Sequence, residues 1–219
     1  MTTRENYSHA LEDLRQDIMD MGNKVQDSII RSVEALSKQD LALARQVIDS
    51  DDIIDELEEK IEDKCMVLIA RQQPLAKDLR VIGTGLKIVT DLERMGDHAT
   101  DIAEIALRIG DQELIKPLVD IPFMAEVAEK MLQDSLTSYV NLDITLAEKV
   151  CMDDDEVDHI YNRLFRELLT YMMEDPHTIS QATQLLFVAR YIERIADHAT
   201  NIAEWTIYLA TGQRCRKFE

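Results

Sequence analysis

Twelve residues, Glu93-Arg94-Met95-Gly96-Asp97-His98-Ala99-Thr100-Asp101-Ile102-Ala103-Glu104, carry four carboxylates and one imidazole. The stretch returns 100 residues later as Glu193-Arg194-Ile195-Ala196-Asp197-His198-Ala199-Thr200-Asn201-Ile202-Ala203-Glu204, with nine of the twelve positions identical. On a helix turning about 100° per residue, Glu93, Glu104, Asp97 and Asp101 fall at 0°, 20°, 40° and 80°, within one sector. Met95, Ala99, Ile102 and Ala106 take the opposite side, where a core belongs. Like charges at i,i+4 cost a bare helix roughly 0.2–0.5 kcal/mol per pair. A cation is the simplest group to offset that cost. An all-oxygen ligand set suits hard ions and can bridge several of them. Divalent or trivalent ions are therefore expected, with iron, manganese, magnesium and zinc all open.

A second stripe precedes each copy. Asp51, Asp55, Glu59 and Glu62 repeat the phases of Glu93, Asp97, Asp101 and Glu104. The later equivalents are Asp154, Asp158 and Asn162, followed by the apolar Phe165. Counting from Pro74, Asp55 and Glu93 are equally distant, and so are Asp51 and Asp97. Around Pro176, Asp158 pairs with Glu193 and Asp154 with Asp197 to within one residue. At about 1.5 Å rise per residue, two helices joined at the proline bring four carboxylates to one height, twice over. Asp101 and Glu59 flank the first quartet, whereas their counterparts Asn201 and Asn162 carry no charge. The first half is thus expected to hold cations more tightly.

An acidic stripe is also what a solvated helix face looks like, and that reading stays open. His98 and His198 lie at the stripe's edge, placed to hydrogen-bond the ligands. Arg94 and Arg194 are expected to pair with Asp97 and Asp197 at i,i+3. The methionines are mostly core filler, with Met172 and Met173 candidates for an adaptable partner surface. A di-iron centre of the ferritin kind needs Glu-x-x-His on two helices, but Glu156-Val157-Asp158-His159 has no counterpart in the other half. Gly83-Thr84-Gly85 sits in a helical pattern without the strand and lysine of a phosphate loop. No Cys or Ser nucleophile has an evident base, so no enzyme is expected.

These residues need long helices to hold them. Apolar residues make up 46% of the 219, and only 4 Pro and 6 Gly interrupt them. A first helix begins near Arg4 and runs through Leu36. Ser37-Lys38-Gln39-Asp40 reads as a turn with Asp40 as N-cap. A second helix spans Leu41 to about Arg71 and ends at Gln72-Gln73-Pro74. A third carries the acidic stretch and stops at Gly110. After a linker over 111–122 the plan recurs: about Phe123–Val140, Ile144–Met173, a break at Pro176, and a helix to about Ala210. Nothing reads as a strand. The fold class is all-α, two tandem antiparallel three-helix bundles (1–110 and 123–219) related by an internal repeat.

The net charge of −19 disfavours nucleic acid and unaided adhesion to anionic lipid. Cys65, Cys151 and Cys215 show no ligand spacing, which points to a reduced, cytoplasmic chain. The start lacks an apolar signal region, and no run approaches transmembrane length.

Both Glu-Arg-x-x-Asp-His segments, together with Ile54-Asp55-Glu56-Leu57-Glu58 and Gln72-Gln73-Pro74-Leu75-Ala76-Lys77-Asp78-Leu79-Arg80, resemble the PhoU family over nearly the whole chain. The resemblance implies two tandem three-helix bundles, some family members carrying multinuclear metal clusters on such motifs. It implies restraint of the phosphate-starvation response, linking the ATPase subunit of the high-affinity phosphate ABC transporter to a membrane sensor histidine kinase. A homodimer, peripheral to the membrane only through its partners, is expected. Position by position, Glu93, Asp97, Glu193 and Asp197 become metal ligands, joined by Asp101. Glu104 and Glu204 extend the motif, and Asn201 departs from an all-acidic pattern. The alternative is a carboxylate-bridged metal protein with its own redox or storage chemistry.

Overall fold

The computed structural model describes residues 3–72, 74 and 76–214. Helices account for 90% of these residues, and no strand occurs among them. The first unit comprises α1 (Thr3–Lys38), α2 (Leu41–Asp49), α3 (Asp51–Gln72) and α4 (Ala76–Ile109). The second comprises α5 (Asp120–Asn141), α6 (Ile144–Glu174) and α7 (Ile179–Thr211), with a 3-10 turn at Pro176–Thr178 before α7. Leu14, Ile18, Met21, Val25, Ile29, Val33 and Leu36 recur at three- and four-residue steps along α1, and all are buried. The expected stops are in place. Asp40 accepts from the Ala42 and Leu43 amides at 3.0 Å each, and Gly110 closes α4 with φ +64°. Gln73, Leu75 and Cys215 lie outside the described residues.

The repeat extends to the backbone. Gln39 and Leu142, 103 residues apart, both adopt left-handed conformations before the aspartate caps Asp40 and Asp143. One departure from the expected plan is that the second helix breaks at Ser50. Its hydroxyl donates to the Val47 carbonyl at 2.8 Å, and its amide is shared between Gln46 and Val47. The serine competes for helical carbonyls and restarts the chain as α3, so Asp51 becomes a first-turn residue. The second unit runs unbroken through the equivalent position as α6.

The two units lie side by side around one continuous core. α4 and α7 pack antiparallel, with Asp91 against His198 and His98 against Tyr191. α1 and α5 do the same, Gln26 donating to Glu129 at 2.8 Å. Gly22 faces Leu136 so closely that a side chain there would overlap it. The acidic motifs of α4 and α7 therefore cross near the molecule's approximate two-fold axis. Gln181 pins the connecting segment, accepting from the Ile115 amide at 2.7 Å and donating to the Glu113 carbonyl at 3.1 Å.

Candidate functional site

The proline turn folds α3 back along α4 and brings Asp51, Asp55, Glu93 and Asp97 together. Asp51 accepts a hydrogen bond from Thr100 and feels Asp55 and Asp97. Gly96 permits the close approach, since a Cβ there would lie 3.0 Å from Ile54 Cδ1 and 3.8 Å from Asp51 Oδ1. Burial, then the charge of Asp97, pushes the Glu93 carboxyl up to about 7, against the pull of Arg94. Asp51, Asp55, Glu58 and Asp101 are all raised, in each case by burial first and neighbouring carboxylates after. Arg94 meets the crowd as the spacing requires, at 2.9 Å from Asp97 and 3.3 Å from Glu93.

Glu58 was missed in the sequence, where Glu59 held its place. Relative to Asp51, Glu58 lies at −20° and Glu59 at 80°, at about 100° per residue. Glu58 is half-buried against Asp55, Arg94 and Asp97, whereas Glu59 is exposed and touches the cluster only through Asp55. The phase angle was the available signal. Glu62 acts one turn further on, through Glu58.

In the second unit Glu193 is raised by burial, then by Asp197, with Asp158 across from it on α6. Asp154 is half-buried one turn before Asp158. The charge balance differs. Arg194 lies 2.9 Å from Asp197, and Arg190 makes a further bond to Glu193. The Arg190 guanidinium also stands 5.8 Å from the ring centroid of Tyr161. Arg190 corresponds to Thr90 and Tyr161 to Glu58, so an acid and a threonine give way to a stacked arginine–tyrosine pair.

The remaining candidates sit elsewhere. His198 Nδ1 lies 2.8 Å from Asp91, and Asn201 donates to the same oxygen at 3.2 Å. Both therefore fasten α7 to α4 instead of facing α6. His98 stacks on Tyr191 at 5.5 Å, with its Nδ1 3.7 Å from Asp101. Burial, then His198, lowers its pKa to about 4, so it is neutral. Glu104 is paired with Arg108 at 2.6 Å, and Glu204 lines a surface pocket beside Trp205. Asn162 caps back onto the Asp158 carbonyl at 2.9 Å. Met173 is 85% exposed, while Met172 packs on the core.

Among the described residues, no three His, Cys, Asp or Glu side chains are gathered tightly enough to hold a metal as they stand. In the first unit Arg94 pairs with Glu93 and Asp97 of its own helix. No helix among the described residues is long and apolar enough to cross a membrane.

Fold and site together define a class: all-helical proteins of two repeated units, each presenting a carboxylate face near a shared axis. The family model described as the PhoU domain matches residues 18–106 and again 121–206, and the chain belongs to this family. It is 45% identical over 213 residues to the phosphate-specific transport system accessory protein PhoU homolog of Clostridium acetobutylicum, covering 97% of each chain. It is 49% identical over 203 residues to the homolog of Aquifex aeolicus, covering 93% of this chain and 92% of that one. The crystal structure of PhoU from Pseudomonas aeruginosa superposes with a TM-score of 0.91 at 39% identity, over 94% of this chain and 100% of that one. The phosphate transport system regulatory protein PhoU from Streptococcus pneumoniae gives 0.89 at 29%, over 96% and 99%.

Proposed function

We propose that this chain is a non-catalytic regulator of phosphate uptake and of the phosphate-starvation response, coupling the transporter's ATPase subunit to a sensor histidine kinase. The observation that carries this is full-length similarity to proteins named as accessory to phosphate-specific transport. His159, the one residue suggesting di-iron chemistry, is exposed and bonded to the Asp155 carbonyl. Phe165, Leu169, Met173 and Phe187 leave an apolar outer face on α6 and α7 that suits a partner or a second copy.

The carboxylate faces take up cations on this reading. Asp51, Asp55, Glu58, Glu93 and Asp97 fit a hard, oxygen-ligated ion in number and charge, and burial followed by neighbouring carboxylates raises the pKa values of Asp51, Asp55, Glu58 and Glu93. Arg94, 57% exposed, is free to swing outward as an ion enters. A bound ion would neutralise the crowd and brace α3 against α4.

The test is a clean deletion in phosphate-rich medium with a reporter on a phosphate-responsive gene. The reporter should be on without the protein and off when it is restored. Normal repression in the deletion strain contradicts the proposal.

A further inference from the structure

At the far end of α4 the surface chemistry reverses. A pocket of about 370 Å³ lies between α4 and the end of α7, lined by Arg80, Gly83, Thr84, Lys87, Trp205 and Arg214 among others. On a chain of net charge −19, three cations meet here, and among the described residues none is ion-paired to an Asp or Glu. Two are held in place by aromatic faces. The Arg80 guanidinium is 5.5 Å from the centroid of Tyr208, also in the lining, and Arg214 is 5.7 Å from that of Trp205. Gly212, with φ +76°, leaves room for Arg80 to reach this position, since a Cβ there would stand 2.6 Å from its Nη1. Among the described residues no Asp or Glu lines the pocket, and Glu204 lines a separate pocket that shares Trp205, Tyr208 and Arg214.

Two observations point to a ligand. Thr84 is 1% exposed, and its Oγ1 has no hydrogen-bond partner although it lines the pocket. A buried hydroxyl without a partner is costly and asks for one. Gly83 is exposed in mid-helix, a position where glycine is disfavoured relative to alanine. Neither packing nor backbone explains it, because a Cβ there would meet nothing within 4 Å and its φ is helical. What the missing side chain preserves is the open floor of the pocket.

We propose that this pocket binds a phosphorylated small molecule of nucleotide size. Arg80, Lys87 and Arg214 hold the phosphoryl oxygens, with the Thr84 hydroxyl donating at the base. The organic part lies against Leu79, Trp205 and Tyr208. The volume exceeds what one phosphate fills and falls within the usual range for small-molecule sites. The site is separate from the carboxylate faces and does not depend on the regulatory role proposed above.

Trp205 is the chain's single tryptophan, so its fluorescence reports on this pocket. The full chain is titrated in magnesium-free buffer with ATP, ADP, adenosine and inorganic phosphate. ATP and ADP should give a saturable change with a Kd below about 1 mM, with adenosine at least about 10-fold weaker. Lys87→Gln should weaken nucleotide binding about 10-fold, whereas Lys130→Gln on α5 should leave it unchanged. Gly83→Leu fills the floor and suits a helix, so it should abolish binding with an unaltered circular dichroism spectrum. Inorganic phosphate binding as tightly as ATP shows that the organic part adds nothing and overturns the assignment to a ligand of nucleotide size. No saturable change with any phosphate, adenosine binding as well as ATP, or full binding by Gly83→Leu overturns the proposal.

Discussion

Replacing Glu93 by glutamine should stabilise the metal-free protein above neutral pH, although it removes a motif residue. Burial and Asp97 hold the Glu93 carboxyl up to about 7, against 4.5 for a free glutamate. The folded state therefore binds this proton more tightly than the unfolded chain does. Stability falls as pH rises from 4.5 towards about 7, and the full penalty applies above that. The displacement corresponds to at most about 3 kcal/mol. Water at the rim of the face screens it to about 1–2 kcal/mol. Urea denaturation in EDTA at about pH 5 and about pH 8 measures this directly. Glu93→Gln should match wild type at the lower pH and exceed it by about 1–2 kcal/mol at the higher. Glu193→Gln should gain less, because Arg190 and Arg194 both contact Glu193. Equal shifts at both pH values, or a loss for Glu93→Gln at the higher one, refutes the electrostatic argument.

Thr90→Arg copies the second unit's Arg190 into the first. It should lower the Glu93 pKa, raise metal-free stability by about 1 kcal/mol above neutral pH in the same urea assay, and weaken cation uptake measured by calorimetry. His98, held at about 4 by burial and His198, must charge as acid is added. Stability should therefore drop as pH falls from 6.5 towards about 4, and His98→Gln should flatten that limb of a pH-dependent thermal melt. Gly96→Val drives a side chain into Ile54 and should cost about 1–3 kcal/mol in urea unfolding, while Ala196→Gly tests the equivalent contact in the other unit.

The helices were legible because α1, α4 and α7 each present one apolar stripe over more than thirty residues, with Gly110 and Asp40 as local stops. The break at Ser50 was not, since one serine hydroxyl bonding to Val47 leaves the apolar period undisturbed. Level pairing of Asp51 with Asp97 and Asp55 with Glu93 followed from counting outward from Pro74, as two antiparallel helices share one rise per residue. That count says nothing of which unit lies beside which. The antiparallel α4–α7 seam, which takes His198 and Asn201 to Asp91, depends on shapes a helical wheel does not carry. The basic pocket escaped for the same reason, its cations lying 127 residues apart between Lys87 and Arg214.

The central claim is that two carboxylate faces take up cations and that the α3–α4 face does so more strongly. Anomalous scattering at the metal's absorption edge, with binding titrations of Asp97→Ala and Asp197→Ala, tests it most directly. Glu58, Thr90 and a single arginine should give the α3–α4 face higher occupancy and tighter binding, so Asp97→Ala should lose the larger share of bound metal. Equal occupancy, stronger density beside Asp197, or no bound metal at either face would contradict the account.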